Sequence, residues 1–370
     1  MSAAYSAVAA WRRQWYLANP SRRRRLARPV ISVGNLRVGG SGKTPIAAHI
    51  AQLLLEEGER PAILTRGYGR RRTEDGVTVV SDGTSVHAAL EVAGDEPLML
   101  ARALPGVAVL VGSDRYLSGC LAENRFGATV HVLDDGFQHL ELERDLDLLL
   151  VSEDDLHDRP MPAGRLREGL GAAATADAAL VSAGYDTAAE RIGRGLNIDT
   201  VFRVTRVIGA PRMLGGERDT VVVPQASRVF VVSGIARPER FVNDIVGAGW
   251  EIAGLIEFRD HHRFDSADVA RITAEARRAG AAIVLTTEKD AMRLAACELG
   301  DLPVASVPLV VGVEPAVAFR AWLLARLSAA RTPHVAPGTP QLAPGTRNVA
   351  PRTPPLAPSR SHPAPRSPKR

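Results

Sequence analysis

Short apolar runs and longer amphipathic stretches alternate along the chain. PVISVG (29–34), RPAILTRG (60–67), GVAVLVGS (106–113), ATVHVLDDG (128–136) and LDLLLVS (146–152) are rich in β-branched residues and bounded by glycine, proline or acids, which predicts buried strands. Between several of them lie stretches such as PIAAHIAQLLLEEG (45–58), whose apolar positions recur with the period of a helix. This alternation predicts an α/β fold, a Rossmann-like parallel sheet with helices on both faces. From about 195 to 227 the pattern breaks into β-like sequence interrupted by glycine and proline. It then restarts with RVFVVSG (228–234), a helix after Pro238, WEIAGLIEF (250–258), a helix from about Ser266 and AAIVLTTEKD (281–290). The restart predicts a second, smaller α/β domain, closed by the helical stretch AVAFRAWLLARL (316–327). The expected boundaries are an arm at 1–28, the first domain at 29–200, a β-rich linker at 201–227, the second domain with its closing helix at 228–330, and a tail at 331–370.

Composition adds the ends. Of 370 residues, 45% are hydrophobic, enough to bury two cores. Residues 1–29 hold seven arginines and no acid, while residues 331–370 hold six arginines and Lys369, again without an acid. Removing seven positive charges at each end from the net +5 leaves −9 on residues 30–330. An acidic body argues against a broad nucleic-acid face, and no nucleic-acid partner is expected; the basic ends point to a polyanionic surface. In the arm, Val8, Trp11 and Trp15 fall at helical spacing beside Arg12, Arg13 and the run RRRR (22–25), the pattern of an interfacial helix on an anionic membrane. A solvated basic arm is the plainer alternative. Its apolar stretch is interrupted by arginines, so it does not read as a signal peptide, and no run reaches the roughly 20 apolar residues needed to span a bilayer. Eleven prolines in the last forty residues predict a disordered tail. Cys120 and Cys297 are too few for a disulfide framework or a zinc site, which makes a reducing compartment the expectation.

The chemistry begins at GNLRVGGSGKTP (34–45), which follows a predicted strand and opens a predicted helix. Gly39, Gly40, Ser41, Gly42, Lys43 and Thr44 supply what a phosphate-binding loop needs. The glycines let backbone N–H groups converge on phosphate oxygens, the lysine reaches the β- and γ-phosphates, and the threonine hydroxyl meets Mg²⁺. Arg37 stands where the usual G-x-x-x-x-G-K-[ST] pattern has its first glycine. Such a loop needs an acid at the end of a neighbouring strand, and Asp134 and Asp135 follow the run TVHVL; Asp-Asp-Gly is equally good turn chemistry. A hydroxyl acceptor further requires a positioned base. Asp95 in GDEP (94–97) is a candidate, or a helix cap, and His261 and His262 are candidates or ordinary loop histidines.

Taken together, SVGN-x₃-GGSGKTP, LTRGYGR (64–70), GDEP, VGSDR (111–115), LDDGFQH (133–139), PAGRLRE (162–168), SGIARPERF (233–241), FRDHH (258–262) and TTEKDA (286–291) resemble the tetraacyldisaccharide 4'-kinase family of lipid A biosynthesis, over about residues 29–327. The resemblance implies a kinase that uses MgATP to phosphorylate the 4'-hydroxyl of the lipid A disaccharide 1-phosphate, giving lipid IVA at the cytoplasmic face of the inner membrane. It implies Asp95 and His261 as the catalytic pair, with His262 outside the matched position. It further implies Asp134 and Asp135 as the metal-side acids, Arg115 and Arg167 as phosphate or substrate contacts, and a loop in which Arg37 is tolerated. No protein partner is implied. The rival reading is a membrane- or DNA-associated P-loop ATPase of the partition or positioning class; that class carries a lysine before the paired glycines, where this chain has Val38. A non-catalytic nucleotide-binding scaffold is a second rival, disfavoured by the acidic body.

Overall fold

A computed structural model describes residues 2–39, 42–68, 70, 72, 75–182, 186–214, 222–301 and 303–331. The proline-rich tail therefore lies, after Arg331, outside the described residues, as do Gly40 and Ser41 of the glycine loop.

The arm folds as helix α1 (Ser2–Ala18). The first α/β run comprises β1 (Val30–Asn35), α2 (Lys43–Glu56), β2 (Pro61–Thr65), β3 (Thr78–Asp82), α3 (Leu90–Ala93), α4 (Asp95–Ala103) and β4 (Ala108–Val111), then α5 (Arg115–Phe126), β5 (Val130–Asp134), β6 (Leu146–Ser152), α6 (Glu153–His157), β7 (Ala178–Ser182), α7 (Asp186–Leu196) and β8 (Val201–Ile208). The second comprises β9 (Arg212–Met213), β10 (Arg228–Ser233), α8 (Pro238–Gly247), β11 (Glu251–Glu257), α9 (Ser266–Arg278), β12 (Ile283–Thr287), α10 (Glu288–Leu294) and β13 (Val304–Val307), followed by β14 (Leu309–Glu314) and α11 (Ala316–Arg331).

Fourteen strands form two sheets among the described residues. The larger runs β14-β8-β7-β6-β1-β5-β2-β4-β3, parallel from β8 to β4 with β14 and β3 antiparallel at its edges. The smaller runs β11-β10-β12-β13-β9, parallel except for β9. Both lie in one compact unit. Helices cover both faces of the larger sheet, as the apolar runs require: β1 and β2 are buried at every position, and a strand buried on both sides cannot alternate. One face packs on α2, α4 and α11 and the other on α5 and α7.

The expected linker (201–227) has more structure than its broken pattern suggests. Its start is β8, a strand of the larger sheet, and Arg212–Met213 edges the smaller one. The chain also leaves the second sheet before its expected end. β14 returns to pair with β8, and Phe319, Leu323 and Leu327 of α11 sink into the core of the larger sheet. The closing helix thus belongs to the first lobe.

Candidate active site

The strand order reverses at β1, with β5 on one side and β6 on the other, so the loops leaving β1 and β5 open into the crevice where α/β sheets bind ligands. Val33 and Asp134 are register partners, which brings the glycine loop and the Asp-Asp turn off adjacent strand ends. The two approach closely because Gly34 has no side chain: a Cβ there would lie 2.4 Å from Phe137 Cβ. Gly39 and Gly42 have φ of 103° and 91°, the left-handed region where glycine is at ease. Gly42 is the N-cap of α2, and no side-chain oxygen caps it, which leaves the positive end of a 14-residue helix facing the loop.

Lys43 Nζ donates to Asn35 Oδ1 at 3.0 Å and lies 3.4 Å from Asp135 Oδ1. Burial pulls its pKa down, against the opposing pull of Asp135. Thr44 Oγ1 donates to Asp134 Oδ2 at 3.1 Å. Asp134 is buried, and its Oδ1 has no hydrogen-bond partner. Burial, followed by the charges of Glu96 and Asp135, raises its pKa to about 7. Such a carboxylate, beside a threonine hydroxyl, suits a hard divalent cation, which takes one or two carboxylates and completes its shell with phosphate and water. Asp135 differs. Burial would raise its pKa, but Lys43 and Arg167 outweigh burial and hold it low; Arg167 Nη1 donates to Asp135 Oδ2 at 2.9 Å and to Gln138 Oε1 at 3.0 Å.

Arg115 is buried at the start of α5, with Nη1 on the Ser113 carbonyl at 3.1 Å. Burial and then repulsion from Arg66 lower its pKa to about 10, the signature of a guanidinium short of negative partners. Arg37 is buried too, with Nη1 3.2 Å from Asp155 Oδ1 and Nη2 3.4 Å from Asp158 Oδ2. Around it, Val38 N donates to the Arg165 carbonyl (2.8 Å) and Arg167 N to that of Leu36 (2.6 Å). The residue that breaks the usual loop pattern fastens the loop to the segment carrying Arg167.

Asp95 is the first residue of α4, whose N-cap is Gly94, and its carboxylate makes no cap. Instead Asp95 Oδ2 lies 3.0 Å from His261 Nδ1, joining residues 166 positions apart and on different lobes. Arg293 Nε stands 3.5 Å from the same oxygen. Burial would raise the Asp95 pKa, but the His261 hydrogen bond and the Arg293 charge overcome it and keep the acid ionised. His261 sits at φ 60°, a left-handed conformation uncommon for a side-chain-bearing residue and concentrated at functional sites. Its Nε2 lies 3.4 Å from Lys289 Nζ, and Tyr68 tilts over its ring with centroids 5.6 Å apart. His262 turns away: it pairs with Asp268 Oδ2 at 2.8 Å and stacks on Phe258.

Sequence reasoning passed over Asn35, Lys289 and Arg293. Lys289 bridges Glu96 (3.3 Å) and Asp260 (3.4 Å), and Arg293 donates to the His262 carbonyl (2.9 Å) and to buried Asp290 (2.6 Å). Both belong to TTEKDA and its helix α10; a helix from Glu288 was hidden by the strand run before it. Two arginines of RRRR (22–25), expected to face lipid, also hold acids of this chain. Arg24 grips Asp114 through two bonds (2.8 and 2.9 Å), and Arg25 binds Glu143 (2.6 Å) and Asp145 (2.9 Å).

A triphosphate loop that only hydrolysed its nucleotide would have no use for a carboxylate–imidazole pair joining the two lobes, and the fold and site together define a kinase of the P-loop class. A family model described as tetraacyldisaccharide-1-P 4'-kinase matches residues 1–328, and the chain belongs to that family. A tetraacyldisaccharide 4'-kinase of Geobacter metallireducens is 40% identical over 296 residues, covering 80% of this chain and 87% of the relative. One from Anaeromyxobacter sp. (strain K) is 39% identical over 329 residues, covering 85% and 86%. A crystal structure of LpxK from Aquifex aeolicus in complex with ATP superimposes with a TM-score of 0.70 at 30% identity, covering 88% of this chain and 97% of that one.

Proposed function

We propose that this chain transfers the γ-phosphoryl group of MgATP to the 4'-hydroxyl of tetraacyldisaccharide 1-phosphate, forming lipid IVA. The observation that carries this reading is the Asp95–His261 contact between the lobes, with Glu96, next in the chain, near enough for its charge to raise the Asp134 pKa. In this account Gly39, Gly42 and the start of α2 hold the phosphates with Lys43, and Gly40 and Ser41 complete the loop. Thr44 and Asp134 hold the cation, leaving Asp135 to fix Lys43 and Arg167. When bound there, Mg²⁺ would neutralise negative charge on the β- and γ-phosphates.

Asp95 receives the acceptor hydroxyl on the oxygen that His261 leaves open. A carboxylate with a depressed pKa is a weak base, yet phosphoryl transfer through a loose transition state asks for orientation first and proton acceptance late. His261 Nδ1–H holds the carboxylate plane, and Lys289 and Arg293 hold His261 and its loop. Arg115 and Arg167 stand where a guanidinium meets phosphate charge.

The substrate's acyl chains place the reaction at a membrane surface. Among the described residues no helix is long and apolar enough to cross one. α1 exposes Tyr5, Val8 (64%), Trp11 (67%) and Trp15, and we assign this stripe to the headgroup boundary of the cytoplasmic leaflet. With Arg13 in a buried ion pair and Arg24 and Arg25 holding acids of this chain at the surface, attachment rests on apolar burial more than on charge. The test is transfer of label from γ-labelled ATP: the expected product is a labelled lipid, and label appearing only as inorganic phosphate favours a partition-type ATPase instead.

A further inference from the structure

One arginine of α1 faces away from its exposed stripe. Arg13 stands two positions from both Trp11 and Trp15, about 200° round the helix, and is buried. Its Nε donates to Glu168 Oε2 (2.6 Å), and its Nη2 donates to Glu168 Oε1 (2.8 Å) and the Phe137 carbonyl (3.0 Å). Nη1 donates to Thr175 Oγ1 (3.0 Å), and the guanidinium lies 4.2 Å over the Phe137 ring. Arg12 Nη1 donates to the Gln138 carbonyl at 3.0 Å.

Apart from Thr175, each anchor is a chain neighbour or member of the phosphate site. Glu168 follows Arg167, which binds Asp135 and Gln138. Gln138 Nε2 donates to the Asn35 carbonyl (2.9 Å), and Asn35 Oδ1 accepts from Lys43. We propose that Arg13 is a positioning residue for phosphoryl transfer: by clamping Glu168 and Phe137 it sets Arg167 and Gln138 against the loop, so that one buried guanidinium joins the membrane-facing helix to the phosphate site. This rests on the kinase reading above. Only arginine fits the role, because its planar fork serves a carboxylate bidentately while also reaching a carbonyl and a hydroxyl, and an ammonium cannot.

The test uses the full-length chain and detergent-solubilised acceptor, so that membrane binding does not limit the rate. In Arg13→Lys, kcat falls about ten- to a hundredfold while acceptor KM stays within about threefold, because the loss is one of geometry. The double variant Arg13→Lys/Arg167→Lys loses no more than Arg167→Lys alone, since both act through one group. The proposal is overturned by a near-wild-type kcat, by losses that multiply in the double variant, or by a loss that vanishes when the assay is run well below the variant's melting midpoint. Should Arg13→Lys fail to fold, Glu168→Gln enters the same comparison. Should the wild type label no lipid, the functional reading fails, and binding of a non-hydrolysable ATP analogue then decides the coupling: weakened in Arg13→Lys if it holds, unchanged if it does not.

Discussion

Asp95→Asn separates the base from everything else in the site. The side chain keeps its size at the start of α4, but the charge beside His261 Nδ1 (3.0 Å) and Arg293 Nε (3.5 Å) is gone. An amide accepts no proton from the acceptor hydroxyl, and loss of a positioned base costs about 10²- to 10⁴-fold, or roughly 3–5 kcal/mol of barrier at about 1.4 kcal/mol per tenfold. Among the described residues the partners of the Asp95 carboxylate are His261 and Arg293, so the KM for ATP should move by less than about threefold, the mark of an interaction made in the transition state. The assay is steady-state transfer of γ-label to the lipid acceptor in mixed micelles, with ATP varied. His261→Ala should lie between wild type and Asp95→Asn, since it removes the support and leaves the carboxylate, whereas His262→Ala, which loses the Asp268 pair, should cost less than His261→Ala. A kcat within tenfold of wild type in Asp95→Asn, or an ATP KM that rises in step, would refute the reasoning.

Restoring the usual loop glycine should harm the protein: Arg37→Gly strands buried Asp155, and breaking a buried pair costs about 3 kcal/mol, read as a lowered urea midpoint; an unchanged midpoint means the pair holds nothing. Trp11→Ser/Trp15→Ser should reduce sedimentation with anionic vesicles at low and high salt alike, whereas loss confined to low salt would return the arm to an electrostatic role. Arg331 at the end of α11 holds Glu59 through two bonds (2.8 and 2.7 Å), and that hydrogen bond depresses the Glu59 pKa. A depressed folded-state pKa gives stability that is full above the ordinary value of 4.5 and lost as pH falls through the folded value, so the Tm gap between wild type and Arg331→Met should close on acidification. A gap independent of pH contradicts the pairing.

Strands buried on both faces announce themselves, which is why β1, β2, β4, β5 and β6 were legible as apolar runs. The alanine-rich β7 and the edge strand β3 carry no such signal, and the return of β14 to β8 is a pairing across more than a hundred residues that no local pattern encodes. The site divides the same way. The glycine loop is a contiguous motif and was read from its own residues. The meeting of Asp95 with His261 was reached only through family resemblance, because ion pairs between lobes leave no periodicity. The pairs of the arm were hidden for a related reason: composition counts arginines, while their partners Asp114, Glu143, Asp145 and Glu168 lie 90 or more positions away.

The central claim is that the phosphoryl group goes to one particular hydroxyl of a lipid. Phosphorus NMR of the product made from tetraacyldisaccharide 1-phosphate and ATP tests it most directly. The account predicts a second phosphomonoester, coupled to the proton at the 4' carbon, appearing in step with ADP. Inorganic phosphate alone, or a monoester at any other position, would contradict it.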